Sequence, residues 1–278
     1  MSKTFKHSGD LGDIIYSLPT VQKLGGGVLY IDPTGGEGDE FCEKHCGKNR
    51  SRGEKQVTKL NESGCKFLLP LLKEQDYLED VLLWNGEIVD YNLNKHRELF
   101  ATHHPMNIAE QHLKAFNVSE RPYEEKTVAS HMPPWLKVPT DPDYMFKSFG
   151  GIEKKAVINR SHNYHSQGDL WDHLIWNNFD GIRRGIFLGT SLEHQVFNTL
   201  YAVNLDRIEV DDALKAAQLI LHSTRFFGNQ SLLFAIAMGV GATSWLEICS
   251  YVPNTIFFRE NTMMFSGGKY QDLTSQLA

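Results

Sequence analysis

The stretch of sequence best suited to chemistry is residues 7–20, which combines small residues and carboxylates with a following apolar run. Gly9 and Gly12 allow a tight backbone turn and the close approach of another molecule to the main chain. Asp10 and Asp13 lie where a helix is predicted to begin, and two roles are open to a carboxylate there. It can cap the helix, whose dipole favours negative charge, or it can face a cleft and act as a general base.

The C-terminal half contains a second group of candidate binding residues, placed where predicted strands end. Arg160 follows the apolar strand predicted at 156–158, and its planar guanidinium suits phosphate oxygens. Gly189, Thr190 and Glu193 fall at the next predicted strand-to-helix turn. The Glu193 carboxylate can accept two ribose hydroxyls there or, as an alternative, complete a capping box at the start of the helix.

A third candidate site is a predicted helix start directly after an apolar strand, at Gly228, Asn229, Gln230 and Ser231. Backbone N–H groups at a helix start, together with the helix dipole, favour a bound anion such as a diphosphate. The alternative is an ordinary capped helix. The polar start followed by a wholly apolar body favours the anion site.

The most basic segment is 44–59, where six lysines and arginines are opposed only by Glu54. Lys48, Arg50 and Arg52 lie at its centre. This composition fits a solvated loop, and it also fits a surface that contacts a polyanionic acceptor. The formal net charge of −6 at pH 7 argues against a protein whose whole surface binds nucleic acid.

The elements that must position these residues alternate between apolar strands and amphipathic helices in both halves, which predicts an α/β fold. In open α/β sheets ligands bind at the carboxyl ends of the strands, where the second and third groups fall. Prolines and glycines between 133 and 152 suit an interdomain linker. We predict an N-terminal domain at 1–145, a C-terminal domain at 152–265 and a tail at 266–278 that packs back.

Individual elements are also predicted. The apolar runs at 28–32 and 254–258 indicate strands, and the spacing at 107–116 indicates an amphipathic helix. The run 67–72 contains Pro70, which is predicted to close a short buried piece.

The composition is that of an ordinary globular protein, with 278 residues of which 41% are hydrophobic and 22% charged. No run approaches the roughly 18 apolar residues of a membrane span, and the N-terminus lacks the apolar segment of a secretory signal. We therefore expect a cytoplasmic protein. Cys42, His45, Cys46 and Cys65 do not complete a zinc site, so no metal is expected.

The order Gly12-Asp13, two apolar residues and then Leu18-Pro19 resembles the opening of the heptosyltransferase-like glycosyltransferases, a group with the GT-B fold. It also resembles glycosyltransferase-like proteins of tailed bacteriophages. The motifs of the second half, together with Glu247, resemble the donor domain of the same group.

This resemblance implies two Rossmann-like domains facing across a cleft, with the acceptor in the N-terminal domain and a nucleotide-sugar in the C-terminal one. It implies a metal-independent, inverting glycosyltransferase in which Asp13 deprotonates the acceptor hydroxyl. Arg160 and the helix start at 229–231 would stabilise the diphosphate leaving group, and Glu193 would hold the ribose. The nucleotide-sugar is a co-substrate, and no cofactor is expected. The expected acceptor contacts are Asp10, Gly12, Lys48, Arg50 and Arg52.

Alternatives to this interpretation stay open. The family's Asp-Ser/Thr-Gly and following His are here Asn229-Gln230-Ser231 and Leu233, which favours a protein that binds a nucleotide-sugar without transferring it. The acceptor is either a saccharide or a polyanion such as a hydroxymethylated base of phage DNA, and the basic segment favours the polyanion. A Rossmann dehydrogenase is disfavoured because neither half has a G-x-G-x-x-G between strand and helix.

Overall fold

A computed structural model gives the architecture of the chain. It describes residues 2–34, 61–99, 107–119, 132–141, 143–144, 147, 155–162, 164–166, 170–176, 180–249, 254–257 and 259–265. The chain divides into two compact units, Met1–Thr127 and Val128–Ala278.

The first unit is built on a parallel sheet whose described strands lie in the order β3-β2-β1-β4. This order matches the beginning of the doubly wound Rossmann arrangement, in which the chain reverses direction across the sheet after its third strand. The strands are β1 (Thr4–His7), β2 (Gly27–Ile31), β3 (Leu78–Leu83) and β4 (Tyr91–Asn92). The helices among the described residues are α1 (Leu11–Lys23), α2 (Glu62–Lys73), a 3₁₀ helix (Leu93–Leu99) and α3 (Ile108–Ala115).

The polar residues of β1 explain why the sequence did not predict this strand. Lys6 is buried, and its Nζ lies 3.3 Å from Asp32 Oδ2 and 3.3 Å from the centre of the Trp84 ring. A buried ammonium is tolerated when it is paired in this way. A sequence pattern shows an isolated lysine in a short run, whereas the fold supplies its carboxylate and its aromatic partner.

The second unit contains a parallel sheet of six described strands in the order β10-β9-β8-β5-β6-β7. Numbered within the unit, this is the full Rossmann order with its reversal between β5 and β8. The strands are β5 (Val157–Asn159), β6 (Ile186–Leu188), β7 (Asp206–Ile208), β8 (Phe226–Asn229), β9 (Ser244–Glu247) and β10 (Thr262–Phe265). The helices that the structure describes in this unit are α4 (Leu170–Trp176), α5 (Asp180–Arg183), α6 (Ser191–Leu200), α7 (Ala213–His222) and α8 (Leu232–Val240).

Aromatic side chains dominate the core of the second unit. Trp171 of α4 is fully buried and makes edge-to-face contacts with Phe197 and Phe265, at centroid distances of 5.1 and 5.6 Å. Edge-to-face pairs are favourable beyond the apolar area that they bury. These contacts join α4 to α6 and to β10.

The structure corrects two element predictions and refines others. The predicted strand at 254–258 is wrong, because residues 254–255 form a turn and the edge strand is β10. Ile256 and Phe257 are apolar because they are buried, not because they pair in the sheet. The buried piece predicted to close at Pro70 is also wrong, since α2 continues through this proline with its apolar face packed inward.

The predicted strand at 28–32 and helix at 107–116 are confirmed as β2 and α3, with slightly shifted ends. The division between units falls at 127/128, before the proline-rich stretch at 133–152 in which we placed the linker. Residues 135 and 136 both donate backbone hydrogen bonds to the Gly239 carbonyl of α8, at 2.8 and 2.9 Å. The start of that stretch therefore belongs to the second unit.

The predicted tail at 266–278 lies outside the described residues. Among the helices that the structure describes, none is both long and apolar enough to cross a membrane.

Candidate active site

The predicted catalytic turn leaves the carboxyl end of β1 next to the reversal of strand order in the first unit. The Ser8 backbone N–H donates to Asn94 Oδ1 at 3.3 Å, and Asn94 Nδ2 donates to Ser8 Oγ at 2.8 Å. Asn94 lies just beyond β4, on the other side of β1 from β2. Crevices outside this edge are the usual ligand sites of such sheets.

Asp10, Gly12 and Asp13 come together at the start of α1, as predicted. Asp10 occupies the N-cap position and is exposed, but its side chain makes no capping hydrogen bond. Its carbonyl instead accepts the Asp13 N–H at 2.9 Å. Gly12 is partly exposed in the first turn. The structure therefore does not show the capping role that Asp10 could have played.

Asp13 forms an ion pair that the sequence did not predict. Arg97 Nη2 donates to Asp13 Oδ2 at 3.0 Å, and the two side chains are 17% and 19% exposed. Burial raises the pKa of Asp13 from 3.8 to about 7; Arg97 lowers this pKa and the neighbouring Asp10 raises it. A carboxyl group with a pKa near 7 can accept a proton at neutral pH with a useful driving force.

Side chains of this site pack closely around the backbone of Gly9. A Cβ built on Gly9 would lie 2.6 Å from His7 Cε1, 2.7 Å from Arg97 Nη2 and 2.9 Å from Asp13 Oδ2. These distances are shorter than real Cβ contacts. Only glycine therefore leaves room for the three side chains as they stand.

Three buried histidines lie beside the turn: His7 from the end of β1, His96 from the 3₁₀ helix and His112 from α3. One ring nitrogen from each lies within 4.8 Å of the others, and imidazole is a common ligand of transition metals. The His96 and His112 rings, however, are stacked at 3.8 Å with only 20° between their planes. Their lone pairs in the ring planes therefore do not converge on one point, and one or both rings would have to tilt to share an ion.

Arg160, the predicted phosphate ligand, is held by a carboxylate inside the second unit. Its Nε and Nη2 donate to the two oxygens of Glu247 at 2.8 and 3.0 Å. The same carboxylate accepts Trp171 Nε1 at 2.9 Å and the Ser166 N–H at 3.1 Å. Glu247 is only 1% exposed. It is therefore a buried carboxylate that accepts hydrogen bonds from three residues and fixes Arg160 at the carboxyl edge of the sheet.

The predicted diphosphate-binding residues meet at the reversal between β5 and β8, but their side chains bond to the protein. Asn229 Oδ1 accepts the Ser161 N–H at 2.9 Å, and its Nδ2 donates to the Ser161 carbonyl at 3.1 Å. Ser231 caps α8 through the Phe234 N–H and donates to Asn159 Oδ1 at 2.9 Å.

The two remaining residues of this group, Gln230 and Gly228, are buried. Gln230 Oε1 accepts the Cys249 N–H at 2.7 Å, and Gly228 lies within β8 against the Asn159 carbonyl. The side chains of this helix start therefore have a structural use, and an anion here would rely on backbone N–H groups and on Arg160.

Thr190 and Glu193 form the complete capping box that was the alternative to ribose binding. The Thr190 side chain accepts the Glu193 N–H, and Glu193 Oε2 accepts the Thr190 N–H at 2.9 Å. The other oxygen of Glu193 lies 3.6 Å from Nδ1 of the exposed His162. Gly189 precedes the box, and Glu193 Oε2 would lie 3.1 Å from a Cβ there. Capping uses Oε2 of Glu193, and Oε1 is the oxygen that lies near His162.

Some predicted residues cannot be placed. The acceptor contacts Lys48, Arg50 and Arg52 and the excluded zinc ligands Cys42, His45 and Cys46 lie outside the described residues. Cys65 is a buried free thiol whose pKa is raised to about 11, first by burial and then by Asp32.

Sequence reasoning missed Arg97 as the partner of Asp13 and missed the three histidines as a group. For His112 a signal existed, since it occupies the apolar face of the predicted helix at 107–116. For Arg97 there was none, because the residue is 84 positions from its partner.

No protein-family model matches this chain, and no curated protein matches its sequence. Solved structures do match its fold. A glycosyl transferase of family 9 from Veillonella parvula DSM 2008 aligns with a TM-score of 0.53 at 9% identity, over 95% of this chain and 85% of its own. The E. coli ADP-heptose lps heptosyltransferase II aligns with a TM-score of 0.54 at 12% identity, over 95% of this chain and 90% of its own. These neighbours are glycosyltransferases, and at such identities the likeness establishes a common α/β fold.

Proposed function

We propose that this chain is a glycosyltransferase that moves a sugar from a nucleotide-sugar to an acceptor hydroxyl, with Asp13 as the general base. The observation that carries this proposal is the Asp13 carboxyl at the start of α1, with a pKa of about 7, on a fold shared with family 9 glycosyltransferases. The reaction also requires the two Rossmann-like domains to face each other across a cleft, as the resemblance implies.

The proposed reaction needs few parts. Asp13 takes the proton from the acceptor hydroxyl while its oxygen attacks the anomeric carbon, and the nucleoside diphosphate leaves from the opposite face, so the anomeric carbon is inverted. Arg160, held by Glu247, and the backbone N–H groups at the start of α8 oppose the charge that accumulates on the diphosphate. These groups supply positive potential without a metal ion, and we place the reaction in the cytoplasm.

The donor that we would test first is an ADP-sugar, because one neighbour of this fold is an ADP-heptose heptosyltransferase. Thermal unfolding is followed with ADP-, UDP-, GDP- and CMP-sugars. A ligand at a hundred times its Kd contributes about 2.7 kcal/mol. We expect one nucleotide class to stabilise the wild type and Asp13→Asn equally, because Asp13 belongs to the acceptor side of the proposal.

The matched donor variant is Glu193→Gln. Glutamine at this position preserves the capping box but removes the carboxylate that would bind the ribose hydroxyls. We expect the nucleotide-dependent shift to shrink while the unliganded unfolding temperature stays close to that of the wild type. Unfolding temperatures that no nucleotide changes, in wild type or variant, would refute the nucleotide-sugar proposal.

A second function is favoured by one specific observation. Asn229, Gln230 and Ser231 all direct their side chains to protein partners, which is consistent with a protein that binds a nucleotide-sugar and does not transfer the sugar. Incubation of the stabilising nucleotide-sugar with and without acceptors separates the two functions. Transfer, or slow hydrolysis that Asp13→Asn abolishes, supports the enzyme, and binding without either supports the second function.

The acceptor divides into two classes. The basic segment at 44–59 favours a polyanion, and hydroxymethylated phage DNA is the one we propose; a saccharide is the alternative. Glycosylation of hydroxymethylated but not of unmodified duplex DNA would support the first, and transfer only to saccharides would support the second.

A further inference from the structure

Two of the three buried histidines, His7 and His112, form a directional chain of hydrogen bonds that ends at the turn before α1. The Gly9 N–H donates to His7 Nδ1 at 2.9 Å, so the proton of the neutral His7 ring is on Nε2. That nitrogen lies 3.2 Å from His112 Nε2, which must therefore accept. His112 in turn donates its Nδ1 proton to the Ile108 carbonyl at 2.8 Å. Each contact assigns the tautomer of the next ring.

The chain also requires neutral rings. Burial is the largest influence on all three histidines, and it lowers the pKa of His112 to about 3 and those of His7 and His96 well below the usual value. An additional proton on either His7 or His112 would place two donors face to face. Uncharged rings with fixed tautomers form a rigid support, which suits positioning better than proton storage.

The end of the chain is the turn that carries Asp13. The Ser8 N–H is held by Asn94 and the Gly9 N–H by His7, so two successive backbone amides of the turn are anchored by side chains of the first unit. A side chain on Gly9 would already touch Asp13 and Arg97. A small displacement of this backbone therefore changes the space in which the Asp13 carboxyl is enclosed.

We propose that His7 and His112 are positioning residues that hold the Ser8–Gly9 backbone and thereby keep the Asp13 carboxyl enclosed beside Arg97. The role of Asp13 as a base rests on the proposed function. The position and pKa of its carboxyl do not, and they can be measured whether or not the chain transfers a sugar.

The experiment compares His7→Asn with His7→Gln. An asparagine oxygen can take the place of Nδ1 and still accept the Gly9 N–H, whereas glutamine extends toward the position of Nε2 and withdraws the acceptor from Gly9. The pKa of Asp13 is measured by carboxyl ¹³C NMR against pH, and the Gly9 amide is followed by its ¹H–¹⁵N signal.

We expect the Asp13 pKa to fall by about one unit or more in His7→Gln, because a loosened turn admits water and weakens the effect of burial. We expect His7→Asn to shift it by less than half as much and to leave the Gly9 amide signal near its wild-type position. Leu68→Ala, at a fully buried site on α2, serves as the control for lost stability alone and should leave the Asp13 pKa unchanged.

Three outcomes would overturn the proposal. The first is a wild-type Asp13 pKa in its ordinary range, and the second is an equal response to His7→Asn, His7→Gln and Leu68→Ala. The third concerns a metal ion: a Zn²⁺ titration of the wild type in which all three ring signals move and the Gly9 contact to His7 is lost would assign the cluster to metal binding. Failure of sugar transfer with the expected NMR pattern would refute the proposed function and leave the positioning role intact.

Discussion

Two opposing influences act on the pKa of the Asp13 carboxyl. Burial raises its pKa, whereas Arg97 at 3.0 Å lowers it, and the balance leaves the pKa near 7. A carboxylate that is ionised at pH 8 in this environment costs stability, which is the usual penalty of a site shaped for reactivity. This residue therefore connects the chemistry of the turn to the stability of the first unit.

The first prediction is that Asp13→Asn gains stability over the wild type as pH rises. Because the folded-state pKa is above the unfolded value of 3.8, the stability contributed by Asp13 is full below pH 3.8 and is lost as pH rises to about 7. The difference of roughly three pKa units corresponds to about 4 kcal/mol. Chemical denaturation of both proteins from pH 4 to pH 8 measures the difference between their free energies of unfolding. The histidines are present in both proteins, so their contributions cancel in this difference. A gap that does not change with pH would contradict the raised pKa.

The second prediction concerns Glu247, the buried partner of Arg160. Glu247→Gln keeps the shape of the side chain but leaves the guanidinium without its counter-charge, which should destabilise the protein by about 3–5 kcal/mol. Denaturant unfolding at pH 7 measures this loss of stability. The control is Asp211→Asn, which removes the exposed partner of Lys215 and should change stability far less than Glu247→Gln does. An equal loss of unfolding free energy in the two variants would show that the buried hydrogen bonds of Glu247 do not stabilise the protein.

The turn between β1 and α1 depends on glycine for packing. Gly9 is buried, its amide is used by His7, and the volume of a Cβ at this position is already occupied by three side chains. The pattern of residues 7–20 indicated a tight turn at the mouth of a helix. It did not indicate that the turn would be enclosed by residues from the 3₁₀ helix.

The third prediction is that Gly9→Ala destabilises the protein by about 1–3 kcal/mol, the usual cost of overpacking, and weakens the Asp13–Arg97 pair. Thermal unfolding and the ¹³C signal of Asp13 measure the two effects. Gly181→Ala is the matched control, since a Cβ there meets nothing within 4 Å; because Gly181 lies in α5, alanine should leave stability unchanged or raise it by up to about 1 kcal/mol. If Gly9→Ala changed neither the unfolding temperature nor the ¹³C signal of Asp13, the turn would have to move freely enough to accept a side chain.

The whole molecule consists of two units in which parallel sheets share the strand order 3-2-1-4, and both reversals of that order lie beside the candidate residues. The formal charge of −6 argues against a surface that binds nucleic acid throughout. Any contact with DNA would have to come from a local basic surface. Whether the acceptor is DNA therefore depends on how charge is distributed over the whole molecule.

The fourth prediction follows if the acceptor is DNA. The logarithm of the binding constant should fall linearly with the logarithm of salt concentration, and replacing Lys48, Arg50 and Arg52 with alanine should reduce the slope by about 2.7. Fluorescence anisotropy with hydroxymethylated duplex DNA measures it. Lys66→Ala, on an exposed pair with Glu62 in α2, should leave the slope unchanged. Binding that does not depend on salt, or no binding, would count against a DNA acceptor.

The sequence by itself determined the α/β class, the amphipathic helix at 107–116 and the position of the Gly-Asp turn, because these depend on local periodicity, capping and glycine placement. It did not predict α2, which continues through Pro70. It was less informative about short strands with polar residues, such as β1, where Lys6 is buried only because Asp32 and Trp84 meet it. It also misassigned residues 254–258, since burial and pairing produce the same apolar run.

Only the tertiary structure decided which side chains act together. Asp13 meets Arg97 across 84 positions, Arg160 meets Glu247 across 87, and His7 meets His112 across 105. No local pattern encodes such pairs, because they arise from the tertiary fold, which brings distant strands and helices together at one edge of a sheet. The charge state of Asp13 follows from the same cause: its pKa reflects burial and an arginine that the fold, not the neighbouring sequence, places beside it.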